Sequence, residues 1–250
     1  MLFIIDQMPI DSHYYKKYPE HFAFLDRLIS TILHPNVTEL LICPYNKSRS
    51  VLFLKWNYII PFLCKHLFNL SKLKVIHLPA CECTLTPFLG EGHLPQLENF
   101  TYYGDCTDEL LECIIRSSIS LKQVDVQNSK HVTDKSIDSI LRLHDLQHLN
   151  IGITGVTTEG INKLAVSDIL QQLKFLGLTL TSSQPFVENY ARMTQLRGLS
   201  FYRSNLFQVE EVEQIVENLG KQLVYLSVPL ESSRIINIVG EQCSALKIFC

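Results

Sequence analysis

Residues 121–129 read L-K-Q-V-D-V-Q-N-S, and residues 146–154 read L-Q-H-L-N-I-G-I-T. Both stretches carry apolar side chains at their first, fourth and sixth positions. Side chains alternate between the two faces of a β-strand, so the fourth and sixth positions share one face, and the third, fifth and seventh share the other. Each stretch therefore predicts a short strand with one buried face.

The same L-x-x-L-x-L pattern begins at nine places along the chain. The spacings between successive starts are 36, 24, 24, 25, 27, 23, 27 and 23 residues. A near-constant period of this length is typical of solenoids, in which stacked coils bury their apolar sides against one another. The first positions are Val37, Leu73, Leu97, Leu121, Leu146, Leu173, Leu196, Leu223 and Leu246.

Helix signals fill the segments between the predicted strands. A hydroxyl residue suited to cap a helix stands before apolar residues at helical spacing, as Thr107 does before Leu110, Leu111, Ile114 and Ile115. The other predicted caps are Thr133, Thr157, Ser183 and Ser232, the last of which precedes Ile235, Ile236 and Val239.

Strand and helix signals together predict an α/β fold. We expect a leucine-rich-repeat solenoid, or horseshoe, with a parallel sheet on its concave side and helices on its convex side. Residues 1–36 are expected to form an N-terminal helical cap segment. Residues 37–250 would then form about eight complete repeats and a truncated ninth.

The segments N-S-K-H-V-T-D-K-S-I-D-S-I-L (128–141) and I-T-G-V-T-T-E-G-I-N-K-L-A (153–165) resemble the cysteine-containing class of leucine-rich repeats. That class is best known from F-box proteins. The resemblance implies repeats that recruit a substrate to a cullin-type (SCF) ubiquitin ligase, while an F-box docks onto a Skp adaptor. Residues 1–36 contain no clear F-box, and Met8-Pro9-Ile10 is its only trace there.

Composition narrows the classes of partner. The net charge of −3 gives no basic excess for nucleic acid or an anionic membrane. The apolar stretch 51–70 contains Lys55 and Lys65, which favours a buried packing helix over a membrane span. Eight scattered cysteines indicate reduced thiols and a location in the cytoplasm or nucleus.

Signatures of catalysis are absent from the sequence, so we expect no enzyme and no cofactor. Cys81, Cys83 and Cys106 are the sharpest candidate for a zinc site. Cys81, however, occupies the ninth position of its repeat, where small polar side chains are expected to bond the neighbouring coil; the others are Asp105, Ser129, Thr154, Thr181 and Ser204. Metal binding is therefore not expected, and His77 and His148 are expected to be surface polar residues.

The third, fifth and seventh positions should face outward on the concave side and offer a surface to a protein partner. Aromatic side chains standing among small residues would leave pockets there, and such aromatics dominate binding energy. Alternatively, each aromatic covers its neighbouring coil. The predicted partner-binding residues are Tyr103, Gln123, Asp125, His148, Asn150, Phe175, Tyr202 and Tyr225.

The function predicted from these observations is protein recognition, with the substrate-recruiting part of an SCF-type ligase as the specific form that the resemblance implies. The alternative is a ligase-independent scaffold or regulatory binding protein built from the same repeats.

Overall fold

A computed structural model describes residues 19–41, 66, 70–78, 94–104, 106–179, 189–202, 209–229 and 233–250. The strands are β1 (Glu39–Leu41), β2 (Val75–Leu78), β3 (Asn99–Tyr102), β4 (Gln123–Asp125), β5 (His148–Asn150), β6 (Phe175–Thr179), β7 (Gly198–Tyr202), β8 (Tyr225–Ser227) and β9 (Ile248–Phe249). The α-helices are α1 (Pro19–Ile32), α2 (Asp108–Ser117), α3 (Asp134–Ile140), α4 (Thr158–Val166), α5 (Val209–Leu219) and α6 (Ser233–Gln242). Short 3-10 turns cover Asp168–Gln171, Tyr190–Arg192 and Gly220–Gln222.

All nine strands form one parallel sheet in chain order, from β1 to β9. The register joins equivalent positions of neighbouring repeats, so that Val124 is paired with Leu149 and Leu149 with Leu176. The sequence period thus sets the strand register, as predicted. The chain is a leucine-rich-repeat solenoid.

One backbone carbonyl per coil holds the next coil in place. The residue at the second position of each repeat accepts hydrogen bonds from two successive amides of the following repeat. The carbonyl of Lys122 accepts from the amides of Gln147 and His148 at 2.8 and 2.9 Å. The same pair of bonds recurs at the carbonyls of Thr38, Lys74, Glu98, Gln147, Lys174, Arg197 and Val224.

The fourth and sixth positions fill the core between the sheet and the helices. From β2 to β8 every one of these side chains is buried, including Val124 and Leu149, which are fully inaccessible. Leu40, on the edge strand β1, is only partly buried and packs against this core. The predicted burial of the fourth and sixth positions is confirmed from β2 to β8, whereas Phe249, at the fourth position of the last repeat, is 38% exposed. Ile42 lies outside the described residues.

Three of the predicted caps are confirmed at the helix starts. Thr107, Thr133 and Thr157 each accept a hydrogen bond from a backbone amide in the first turn of α2, α3 and α4. Ser183 and Ser232 lie outside the described residues.

An aspartate at the first position of each of two helices ties the caps together. The carboxylate of Asp108 accepts from the amide and hydroxyl of Thr133 at 2.7 and 2.5 Å, and from the Ser136 hydroxyl at 2.5 Å. Asp134 accepts from the amide of Thr157 in the same way at 2.8 Å. The helix of one coil is thereby bonded to the cap of the next.

Two features of the helical layer differ from the sequence interpretation. Ile236 was expected on the buried stripe of α6 but is 51% exposed, because Ile235, Ile238 and Val239 face the core instead. Helix α5 was not predicted, although Val212, Ile215, Val216 and Leu219 are spaced as a buried helical face.

The turns after the strands follow a repeated conformation. Gly104, Asn128 and Ile153, each at the eighth position, have φ angles of 104°, 64° and 56°. At the ninth position, the Ser129 hydroxyl accepts from the amide of Cys106 in the preceding coil at 3.1 Å, which confirms the expected role. Thr154 instead donates to the carbonyl of Ile151 in its own coil. Cys81, Asp105, Thr181 and Ser204 lie outside the described residues.

Helix α1 precedes the first strand and contributes Ile29 to the core. The division into a cap segment at 1–36 and a solenoid at 37–250 remains a prediction. Across the described ranges, no helix combines the length and the hydropathy that a membrane crossing requires. The stretch 51–70 falls almost wholly outside those ranges.

We predict that Asp108→Ala lowers the free energy of unfolding by about 1–3 kcal/mol, because a partly buried carboxylate acceptor shared by three donors is lost. Urea unfolding followed by circular dichroism measures the change. Asp138→Ala is the matched control, since Asp138 is exposed on α3 and makes only a 3.6 Å ion pair with Lys163. Equal losses in the two variants would contradict the role assigned to Asp108.

Candidate protein-binding face

Side chains from the third, fifth and seventh positions form the outer surface of the sheet, which we call the concave face. The regular register places residues of equal position in rows that cross the strands. All eight predicted partner-binding residues lie on this face, but they differ in how far they reach solvent. Tyr103, Gln123, His148, Phe175, Tyr202 and Tyr225 are partly exposed, whereas Asp125 and Asn150 are 6% and 3% exposed.

The third-position row contains an aromatic cluster. The rings of His148 and Phe175 are stacked, with centroids 4.2 Å apart and an interplanar angle of 6°. Phe175 also contacts Tyr225 at 5.7 Å between centroids. Gly198 lies between these two residues in the row, and a Cβ there would come within 2.6 Å of the Phe175 ring. We call His148, Phe175 and Tyr225 the aromatic row.

The seventh-position row contains a polar network centred on Tyr202. Its hydroxyl donates to Oε1 of Gln127 at 2.7 Å and accepts from Nδ2 of Asn150 at 3.1 Å. The ring therefore reaches back over two coils. It lies directly on Gly152, where a Cβ would overlap the ring. Oδ1 of Asn150 in turn accepts from the amide of Gly152 at 3.2 Å.

Glycines on this face are covered rather than open. Tyr202 covers Gly152, Asn150 covers Gly177, and Phe175 covers Gly198. The expectation that small residues leave pockets beside the aromatics is therefore wrong at these three glycines, because each gap is filled from another coil. Phe175 and Tyr202 behave as the alternative interpretation described, covering their neighbours while keeping part of the ring exposed.

Asp125 is an acidic side chain held beneath this surface. Burial raises the pKa of its carboxyl to about 6, against the opposing effect of hydrogen bonds from the Gln127 amide and the Asn150 side chain. The pKa of the Tyr103 hydroxyl is also raised, first by burial and then by the charge of Asp125. Asp125 and Asn150 are thus positioned to support the surface side chains rather than to reach a partner themselves.

His148 is only partly exposed, and its ring is less solvated than expected of a surface polar residue. Burial lowers the pKa of its imidazole to about 4, so the ring is neutral at pH 7. Its Nε2 atom is buried and has no hydrogen-bond partner among the described residues. His77 is also partly buried, lies edge-on to Tyr103 at 5.2 Å, and has an imidazole pKa lowered by burial.

A shallow depression of about 340 Å³ opens beside the aromatic row, at the amino-terminal edge of strands β3 to β6. Sequence reasoning missed it, since its walls combine second-position and third-position side chains that lie on different coils. The lining residues are Asn99, Lys122, Gln123, Gln147, His148, Lys174 and Phe175.

Comparison with known proteins adds a structural likeness. Among solved structures, the chain is similar to a leucine-rich-repeat protein of Leptospira interrogans, with 17% sequence identity and a TM-score of 0.38. The aligned region covers 74% of this chain and spans only half of that protein's length. No protein-family model matches the sequence, and no curated protein matches it.

The described part of the chain contains no cluster of three or more His, Cys, Asp or Glu side chains that could hold a metal ion. Cys106 is fully buried, and burial raises the pKa of its thiol well above the usual value. Cys81 and Cys83 lie outside the described residues.

We predict that Gly152→Ala destabilises the wild-type chain by about 1–3 kcal/mol, because the new methyl group displaces the Tyr202 ring. In a Tyr202→Ala background, Gly152→Ala should lower the free energy of unfolding much less. A double-mutant cycle from urea unfolding should give a coupling energy of about 1 kcal/mol or more. Additive losses would show that Tyr202 does not lie on Gly152.

We also predict a pH effect from Asp125. Its pKa is higher in the folded chain than the value of about 4 expected on unfolding, so its contribution to stability is present at low pH and is lost as pH rises through about 6. Between about pH 4 and 7, the free energy of unfolding of the wild type should fall by about 2–3 kcal/mol relative to that of Asp125→Asn. Urea unfolding across this range tests the difference, with exposed Asp138→Asn as control; parallel profiles for wild type and Asp125→Asn would contradict it.

Proposed function

We propose that this chain is a non-enzymatic protein-recognition module that binds a partner polypeptide on its concave face. The aromatic row carries this proposal. Phe175 stacks on His148 and contacts Tyr225, and all three residues are partly exposed. Exposed aromatic side chains in such settings supply a large share of binding energy at protein interfaces.

Preorganisation supports the same conclusion. The Phe175 ring is packed against His148 and Gly198, and the Tyr202 ring is fixed by two hydrogen bonds and by Gly152. Side chains already held in one conformation lose little further entropy when a partner binds. The concave face therefore offers its aromatics at a low conformational cost.

The contact should extend beyond the strands. Nine strands at about 4.8 Å spacing and about four residues each give a projected face near 500 Å², while a standard interface takes about 800 Å² per partner. Side chains in the turns that follow the strands would supply the rest of the contact area. One of them is Ile153, which is 40% exposed.

The more specific form of the proposal is that the module recruits substrates to an SCF-type ubiquitin ligase in the cytoplasm or nucleus. Its support is the resemblance of residues 128–141 and 153–165 to the repeats of F-box proteins. A ligase-independent scaffold or regulatory protein would use the concave face in the same way. Co-purification of a Skp adaptor with the full-length protein separates the two.

We predict that Tyr225→Ala weakens partner binding at least about tenfold, because an exposed anchor of the aromatic row is removed. Quantitative affinity purification from cells, with cross-linking to locate the contact, measures the effect. The control is Phe24→Ala, which removes a 55% exposed aromatic ring from α1, away from the sheet.

If both variants retain the wild-type set of partners at equal recovery, the concave face is not the binding surface. Loss in both variants alike would equally contradict the assignment, because the effect would then not depend on the aromatic row.

A further inference from the structure

A row of basic side chains borders the concave face at its amino-terminal edge. The second positions of the described repeats hold five cations and only one acid, Glu98, in a chain whose net charge is −3. We call the cations the basic row; they are Lys74, Lys122, Lys174, Arg197 and Lys247.

The fold itself aligns this row. The second-position carbonyl is the one that fastens each coil to the next, so the side chains of successive coils are stacked along the edge of the sheet. Coils repeat at about 4.8 Å, the spacing of neighbouring strands. Lys174 and Arg197 are therefore on adjacent coils, with Lys247 two coils further along.

Two of the five cations in this row pair with the one acid, and the other three do not. Glu98 pairs with Lys122 at 2.8 Å and with Lys74 at 3.9 Å. Within the described ranges, no carboxylate forms an ion pair with Lys174, Arg197 or Lys247. Lys174 bonds the side-chain oxygen of Gln147 at 2.8 Å, and Arg197 bonds backbone carbonyls of its own coil.

The unneutralised cations stand beside the aromatic row. Lys174 lines the same depression as His148 and Phe175, as does Lys122, which is paired with Glu98. Tyr225 lies one coil beyond Arg197 and its neighbour Gly198. An occupant of this part of the face therefore meets positive charge and aromatic rings side by side.

We propose that the partner segment bound here is an acidic stretch of polypeptide that also carries aromatic or aliphatic side chains, with its carboxylates along the basic row and its apolar groups on the aromatic row. This inference rests on the proposed function and specifies its partner. Charge complementarity of this kind selects partners and speeds association.

A polypeptide fits better than a nucleic acid. The chain as a whole is negatively charged, and α5 adds the exposed side chains of Glu210 and Glu217. This negative charge would repel a long polyanion. A short acidic segment on the basic row would lie far enough from the negative charges for salt to screen the repulsion.

The test uses fluorescence anisotropy with labelled synthetic peptides of about twelve residues, the smallest length that crosses most of the sheet. One peptide repeats Glu-Glu-Phe, a second Gln-Gln-Phe and a third Lys-Lys-Phe, and oligothymidylate serves as the nucleic-acid probe. The wild-type chain should bind the glutamate peptide at least about tenfold more tightly than the other three probes, with affinity falling as salt is raised.

Lys174→Glu/Arg197→Glu should reduce this affinity at least about tenfold. The control Lys135→Glu/Lys163→Glu makes the same charge change on helices α3 and α4 and should keep the wild-type affinity. Circular dichroism verifies folding, and Lys174→Gln/Arg197→Gln replaces the reversal if that variant does not fold. Equal losses in test and control variants would overturn the proposal.

Other outcomes separate this inference from the proposed function. If the glutamine peptide binds as tightly as the glutamate peptide and Tyr225→Ala weakens both, the concave face binds polypeptide but the acidic preference is wrong. Tighter binding of oligothymidylate or of the lysine peptide, or no binding of the glutamate peptide, overturns the acidic preference as well. The proposed function is judged independently by partner recovery with Tyr225→Ala.

Discussion

Each coil of this protein is fastened to the next by one backbone carbonyl that accepts two successive amides of the following repeat. This pair of hydrogen bonds fixes where each strand begins. It therefore fixes which side chains occupy the third, fourth and fifth positions of each repeat. A shift of one residue would exchange the buried and exposed sets, since side chains alternate along a strand. The solenoid core, the concave face and the basic row all depend on that register.

The concave face is completed by side chains that cross from coil to coil. Gly152, Gly177 and Gly198 give space for Tyr202, Asn150 and Phe175 to lie over other coils. Around these glycines, side chains from different repeats hold one another in place. The rings of Phe175 and Tyr202 are therefore held in one arrangement, and the proposed binding role depends on this feature.

The period of the leucine pattern was sufficient to predict the strands, their parallel order and the burial of residues such as Val124 and Leu149, because these follow from local alternation repeated at a constant spacing. The Thr107, Thr133 and Thr157 caps were predictable for the same reason. The burial and hydrogen-bond partners of Asp125, Asn150 and Tyr202 could not be predicted from the sequence. They depend on how far the Tyr202 side chain reaches across other coils and on which glycine it covers. The exposure of Ile236 depended on the rotation of α6, which the apolar residues of that helix leave ambiguous.

The central claim, that equivalent positions of neighbouring repeats lie side by side in parallel, is tested most directly by disulfide trapping across β3 and β4. Asn99 and Gln123 are register partners with partly exposed side chains, at a strand spacing that suits a disulfide. After mild oxidation, non-reducing peptide mapping of Asn99→Cys/Gln123→Cys should show the engineered bond. The offset pair Asn99→Cys/Val124→Cys should not form it, because Val124 points into the core. Bond formation in the offset pair, or in neither, would contradict the account.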